Sequence, residues 1–309
     1  MRVLPVRNVQ PNSLSNYEDN SVSVSIYFDL KIYGGKKYMK ESKNFFLTGC
    51  ASGIGQHLAN RLLAEGHRIW ATDINIEALA QHAQQQGWDE ARAQVRRLDV
   101  RDSEDWERAM DEAVSAFGSI DVHLNIAGYL VPHWFYEASA DEVHRHFDIN
   151  TKGLIFGTQV AARQMIKQGH GHIINISSMS GVAPIAGMAI YGASKYAVRG
   201  FSLAAAQELR PHNVYVTTIC PDAVNTPLLT PHTENEAGAI LYSSPHLLSS
   251  SDIADAIIHK VLRTKPLELL IPGHRGLLAR IVDLFPSLSL YIAPIFQNKG
   301  RKAQQQMHK

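Results

Sequence analysis

Residues Leu47–Ala59 read LTGCASGIGQHLA, and the fold turns on what this stretch is. A short apolar strand, NFFLT (Asn44–Thr48), runs into Gly49, Gly53 and Gly55, and a helical spacing of Ile54, Leu58 and Leu62 follows, ending at Gly66. Strand, glycine loop and helix in that order can cradle a phosphate. Bare backbone comes close to a pyrophosphate, and the helix N-terminus offers N–H groups and its dipole to the anion. An ordinary tight turn also uses glycines, so the next acidic residue matters. Asp73 ends a second strand, RIWAT (Arg68–Thr72), eighteen residues after Gly55. A carboxylate there accepts hydrogen bonds from both hydroxyls of a ribose and repels a 2′-phosphate. Its competing role is the N-cap of the following helix.

Outward from the loop, strands and helical patterns alternate. The strands are QVRRLDV, IDVHLNIAG, GHIINISS, VYVTTIC and LELLIP; helical spacing covers 76–86, 103–117, 139–168, 190–209 and 251–263. Near-continuous apolar strands separated by helices predict a parallel sheet covered on both faces. The expected fold is α/β, a Rossmann-like doubly wound sheet in a single domain spanning 44–272.

The flanks read differently. Residues 1–43 form an expected appendage in which SVSVSIYFDLKIY alternates like a strand amid polar sequence. Met39 stands just before the first convincing strand as a candidate translation start. No apolar segment follows Arg2 and Arg7, so no secretory signal is expected. At the other end, 273–309 is apolar but interrupted by Arg280, Asp283, Pro286 and Pro294, leaving no clean run of about 18 apolar residues. Two short amphipathic helices covering a cleft or an interface are expected. The basic residues Lys299, Arg301, Lys302 and Lys309 keep contact with a membrane surface as the alternative.

Composition excludes several classes. In 309 residues the formal charge is +1, which argues against a nucleic-acid binder. The two cysteines, Cys50 and Cys220, form neither a disulfide framework nor a CxxC site, so a reducing, cytoplasmic setting is expected. None of the fifteen histidines falls in HExxH spacing, and the pairs His144/His146 and His170/His172 lack a third ligand nearby; no metal is expected.

The spacing TGxxxGIG, with YGASK at Tyr191–Lys195, resembles the classical short-chain dehydrogenase/reductase family from about Asn44 to Ile271. By this resemblance Gly49, Ser52, Gly53, Ile54 and Gly55 hold the cofactor, with Asp73 on the ribose. Asp99 and Val100 of LDV lie beside the adenine, and NIAG supplies Asn125, Ala127 and Gly128, with Ile126 replacing the family's second Asn. Asn150, Ser178, Tyr191 and Lys195 match the catalytic tetrad, Ser178 being chosen over Ser177 because it lies thirteen residues before Tyr191. CPDAVNTP matches PGxVxT through Pro221, Val224 and Thr226, but Asp222 replaces the glycine. No Arg or Lys occupies Cys50–Ser52 or the two positions after Asp73, so NAD is expected over NADP. The resemblance also implies a homodimer or homotetramer assembled through 139–168 and 190–209.

These residue types suit proton handling. A tyrosine is a poor base at its usual pKa near 10. Lys195, four residues on, shares its helix face, and an ammonium beside the phenol favours phenolate. Ser178 can hydrogen-bond a substrate oxygen as charge moves onto it. Loops at the strand ends set specificity in this fold, and Tyr129, Leu130, Val131, Trp134, Phe135, Pro184, Met188, Leu228 and Leu229 make that wall apolar. Ser178, Tyr191, Met188 and Leu228 are the expected substrate contacts, and a hydrophobic secondary alcohol or ketone the expected substrate. An NADPH-dependent carbonyl reductase and a catalytically silent, nucleotide-sensing scaffold are the competing readings.

Overall fold

The computed structural model describes residues 41–307, apart from 230, 231, 234 and 245. The appendage expected over 1–43, with its strand and Met39, therefore lies outside the described residues except for its last three. From Asn44 onward, β1 (Asn44–Thr48), β2 (Arg68–Asp73), β3 (Ala93–Arg97), β4 (Val122–Asn125), β5 (Gly171–Ile176), β6 (Val214–Pro221) and β7 (Glu268–Ile271) form one sheet. The order is β3-β2-β1-β4-β5-β6-β7, and every pairing is parallel.

Side chains alternate across β1 and so seed two cores. Phe45 and Leu47 pack on one face with Leu58 and Leu62 of α1 (Gly53–Ala64) and Ile253 of α7 (Ser250–Ala256). Phe46 packs on the other with Trp106 of α3 (Ser103–Phe117) and Met165 of α5 (Leu154–Gln168). Helices on both faces explain why the central strands β4 and β5 are buried at every residue rather than at alternate ones. α2 (Ile76–Gln85) begins at Asn75, whose side chain accepts from Ala78 N. That leaves Asp73 free of the capping role.

Several elements depart from the sequence expectation. The third and fourth strands are shorter than QVRRLDV and IDVHLNIAG. The helix expected over 139–168 runs as α4 (Ala140–Arg145), a π-helical segment (His146–Gly153) and α5. The tail forms α9 (Gly273–Leu284) and α10 (Leu288–Met307), the latter 20 residues long with Pro294 inside it, so it is not short. Pro294 is tolerated because the carbonyl it deprives of a partner, that of Leu290, sits on a face open to water. α6 (Ala189–Leu209) precedes β6, and a π-helical segment (Ile257–Val261) with α8 (Leu262–Thr264) leads to β7.

The order of strand addition reverses at the β1–β4 boundary: β2 and β3 are added outward on one side of it and β5 to β7 on the other. Loops leaving the carboxyl ends of these strands diverge there and open a crevice, the usual ligand position in such sheets.

Candidate active site

The glycine loop folds tightly at this crevice. Gly49 has φ of 70° and Gly53 of 57°, a left-handed region that favours glycine. A Cβ on Gly55 would lie 2.2 Å from Gly49 O, so α1 starts directly against the loop. Ser52 precedes α1 without a side-chain cap, and the first turn carries no acidic residue. The positive end of α1 is therefore left for an anion, which is what a pyrophosphate requires. Asp73 braces the loop: its carboxylate accepts from Ala51 N at 2.9 Å and from Asn75 N at 2.9 Å. These features fit a dinucleotide.

The adenine-side residues are partly committed elsewhere. Arg101 grips the Asp99 carboxylate at 2.6 and 2.9 Å, which holds that acid below its usual range. Val100 packs against Gly153, where a Cβ would come 2.9 Å from Val100 O. Thr48 Oγ1 accepts from Ile126 N and Ala127 N at 2.9 and 3.0 Å, tying the end of β1 to the NIAG strand end.

Asn125 does not face the crevice. Its amide donates to Asn175 Oδ1 (2.9 Å) and Thr158 Oγ1 (3.1 Å), and its oxygen meets His123 Nε2 at 3.0 Å. Asn175 in turn donates to Ser202 Oγ, so this buried chain of polar groups pins β4, β5 and α6 together. Its side chain is thus engaged within the fold.

Beside the loop lies a cleft of about 210 Å³, open to solvent. Ser178, Tyr191 and Lys195 line it together with Ile54, Gly128, Pro221, Val224 and Thr226. Ser178 favours the ionised phenol of Tyr191 and accepts from Ser180 N at 3.1 Å. Ser177 Oγ instead points inward to Lys195 O at 2.9 Å. Lys195 is buried; its Nζ donates to Ile176 O at 3.0 Å and lies 5.8 Å from the centre of the Tyr191 ring.

Burial dominates the electrostatics of the pair. It pushes Tyr191 up to about 12, against the pull of Ser178, and brings Lys195 down to about 8. Burial, rather than the spacing of the pair, is therefore the largest influence on the phenol.

Asn150 sits on the π-helical segment and does not line the cleft. Its amide clasps the backbone of Tyr129, accepting from N at 2.7 Å and donating to O at 2.8 Å, and it donates to Ser194 Oγ at 3.1 Å. Because Ser194 adjoins Lys195 on α6, Asn150 couples the Tyr129 loop to the helix carrying Tyr191. π turns often mark functional sites.

The substrate wall differs from the sequence expectation. Leu228, Tyr129, Leu130, Pro184 and Leu229 line the cleft; Val131, Trp134, Phe135 and Met188 do not. Met188 is buried behind it against Leu130, Leu229 and Tyr242, and Phe135 is 67% exposed. The rest of the wall comes from Ile240 and Leu241 and from the tail, through Leu278, Val282, Ile292 and Phe296. Sequence reasoning missed Arg275, which pairs with Asp222. A carboxylate at a glycine position was the available signal, since a shielded acid needs a cation.

Among the described residues no group of three or more His, Cys, Asp or Glu is placed to hold a metal.

A dinucleotide cradle opening onto a tyrosine, lysine and serine in one apolar cleft is the layout of a nicotinamide-dependent oxidoreductase. The comparisons with known proteins narrow the class. A profile described as short chain dehydrogenase matches residues 43–237. The chain is 38% identical over 185 residues to the 2,5-dichloro-2,5-cyclohexadiene-1,4-diol dehydrogenase LinX of Sphingobium indicum, covering 59% of this chain and 73% of that one. A Burkholderia phymatum short chain dehydrogenase/reductase solved in complex with NAD shares the fold, with a TM-score of 0.73, 23% identity and coverage of 81% and 95%. ElxO with NADP bound aligns with a TM-score of 0.68 and 25% identity, covering 75% and 98%. This chain belongs to the short-chain dehydrogenase family.

Proposed function

We propose that the protein is an NAD-dependent dehydrogenase of a hydrophobic secondary alcohol, reducing the matching ketone in reverse. One observation carries the reading: Ser178, Tyr191 and Lys195 share an apolar cleft that adjoins the glycine loop. Asp73, braced on Ala51 N beside that loop, supports NAD over NADP, because a carboxylate there repels a 2′-phosphate.

A nicotinamide dinucleotide held by the glycine loop and Asp73 would supply the hydride acceptor or donor, and the positive charge of its oxidised ring would favour phenolate at Tyr191. In oxidation Tyr191 takes the hydroxyl proton, and in reduction it returns it. Ser178, lining the same cleft as the phenol, donates to the substrate oxygen as charge develops. Lys195 supplies positive charge and a donor beside the cofactor ribose. Asn150 positions the Tyr129 loop against α6 rather than touching substrate. The homodimer or homotetramer implied by the family resemblance belongs to the same reading.

Following reduced-cofactor absorbance across steroid, retinoid, aliphatic and hydroxy-acid panels, with NAD(H) and NADP(H) in parallel, tests this. Tyr191→Phe should cut kcat by roughly 10²–10⁴ while leaving cofactor binding in place. Selectivity for NADP(H) would overturn the role given to Asp73. Cofactor binding without Tyr191-dependent turnover would favour a nucleotide-sensing protein.

A further inference from the structure

The outer face of the C-terminal hairpin has no role in the cleft. α9 and α10 turn Leu278, Val282, Ile292 and Phe296 inward. On the opposite side Leu284, Phe285, Leu290, Tyr291 and Ile295 stand between 62% and 76% exposed. Single exposed apolar residues are ordinary, but five within the 12 residues from Leu284 to Ile295 form a patch that calls for an occupant.

Charge identifies that occupant. The outward spacing Leu288, Tyr291, Ile295 continues along α10 into Lys299 and Lys302, both exposed. Arg301 is held by Glu236 at 3.0 Å, and no Asp or Glu occurs after Asp283. The hairpin is thus apolar at its tip and basic one to two turns later. That order suits a helix lying on an anionic bilayer, with apolar groups below the headgroups and lysines at the phosphates. A second copy fits less well: antiparallel pairing of two α10 helices sets lysines against the apolar tip, and parallel pairing sets lysine against lysine. No helix among the described residues is long and apolar enough to cross a membrane, so the contact is superficial.

We propose that the α9–α10 hairpin docks this protein on membranes containing anionic phospholipid, its tip entering the headgroup layer and Lys299 and Lys302 meeting the phosphates. The same two helices wall the cleft on their other face, so docking holds the cleft against the phase in which apolar alcohols and ketones partition. The docking itself does not depend on the proposed substrate.

Sedimentation of the full chain with vesicles tests it, using phosphatidylcholine alone and phosphatidylcholine mixed with phosphatidylglycerol. Binding is expected to the mixed vesicles and to weaken with salt. Lys299→Gln with Lys302→Gln should lower affinity about 25-fold, roughly fivefold for each lysine. Leu290→Ser with Tyr291→Ser and Ile295→Ser should abolish binding, while cofactor binding persists because none of these side chains lines the cleft. No binding to either vesicle, or equal binding by wild type and both variants, overturns the proposal. So does a serine variant that dissociates an oligomer in light scattering without altering vesicle binding, which would assign the patch to a contact between copies.

Discussion

At the residue scale, Lys195 shows how burying one charged side chain in the cleft costs stability. Burial lowers its pKa from 10.5 to about 8. Between those values the unfolded chain keeps a proton that the folded chain releases, so this group makes stability rise with pH across that window; below about pH 8 the buried ammonium is a full burden. Lys195→Met should therefore stabilise the protein at pH 7 by roughly 1–2 kcal/mol, net of the lost bond to Ile176 O, and lower turnover by on the order of 100-fold. Urea denaturation at pH 7 and pH 10.5 checks the sign, because the gain should shrink as the wild-type lysine deprotonates. A gain that is constant with pH would place its origin outside Lys195. The spacing of YGASK made the pair visible in sequence. The depth of its burial was not visible, because the groups that cover it, Ile176 and Ser177 among them, come from another strand end.

At the element scale, the hairpin's seat depends on one glycine. A Cβ on Gly300 would lie 1.9 Å from Ala239 O, so α10 rests directly on the 3-10 turn Ala239–Tyr242, helped by Gln304 Nε2 donating to Asn235 O at 3.1 Å. Gly300→Val should lift the helix and cost about 1–3 kcal/mol in thermal or urea denaturation. KM for large apolar substrates should rise, while kcat for a small alcohol changes little, since Ile292 and Phe296 leave the wall and the tyrosine stays in place. Equal losses for small and large substrates would show that α10 supports the catalytic groups themselves. Periodicity found α1, α3 and α6 because each has one dominant buried stripe. In the tail it found two helices but took the second as too short, because α10 is apolar inward and outward and Pro294 reads as a break when its lost hydrogen bond costs little at an exposed position.

At the scale of the whole molecule, Asp222 joins the end of β6 to the tail. It follows β6, lines the cleft and pairs with Arg275 of α9. Burial raises its pKa and Arg275 opposes that rise. The side chains are 16% and 23% exposed, shielded enough for removal of one partner to strand the other's charge or hydrogen bonds. Asp222→Asn and Arg275→Gln should each destabilise the fold, and the double variant should cost about 1–3 kcal/mol less than their sum. An additive pair would mean that the contact does not tie the tail down.

The sequence alone determined the order of the elements, the parallel sheet, the glycine loop and the candidate residues Ser178, Tyr191 and Lys195. These depend on local periodicity and on short spacings within one strand, loop or helix. Tertiary structure decided what required distant segments to meet. It turned Asn125 into a cross-link within the sheet, made Asn150 a clasp on Tyr129 and placed Met188 behind the cleft. It also gave Asp222 its partner fifty-three residues downstream and split the tail into a cleft face and an outer face, because burial and pairing belong to positions in space rather than to positions along the chain.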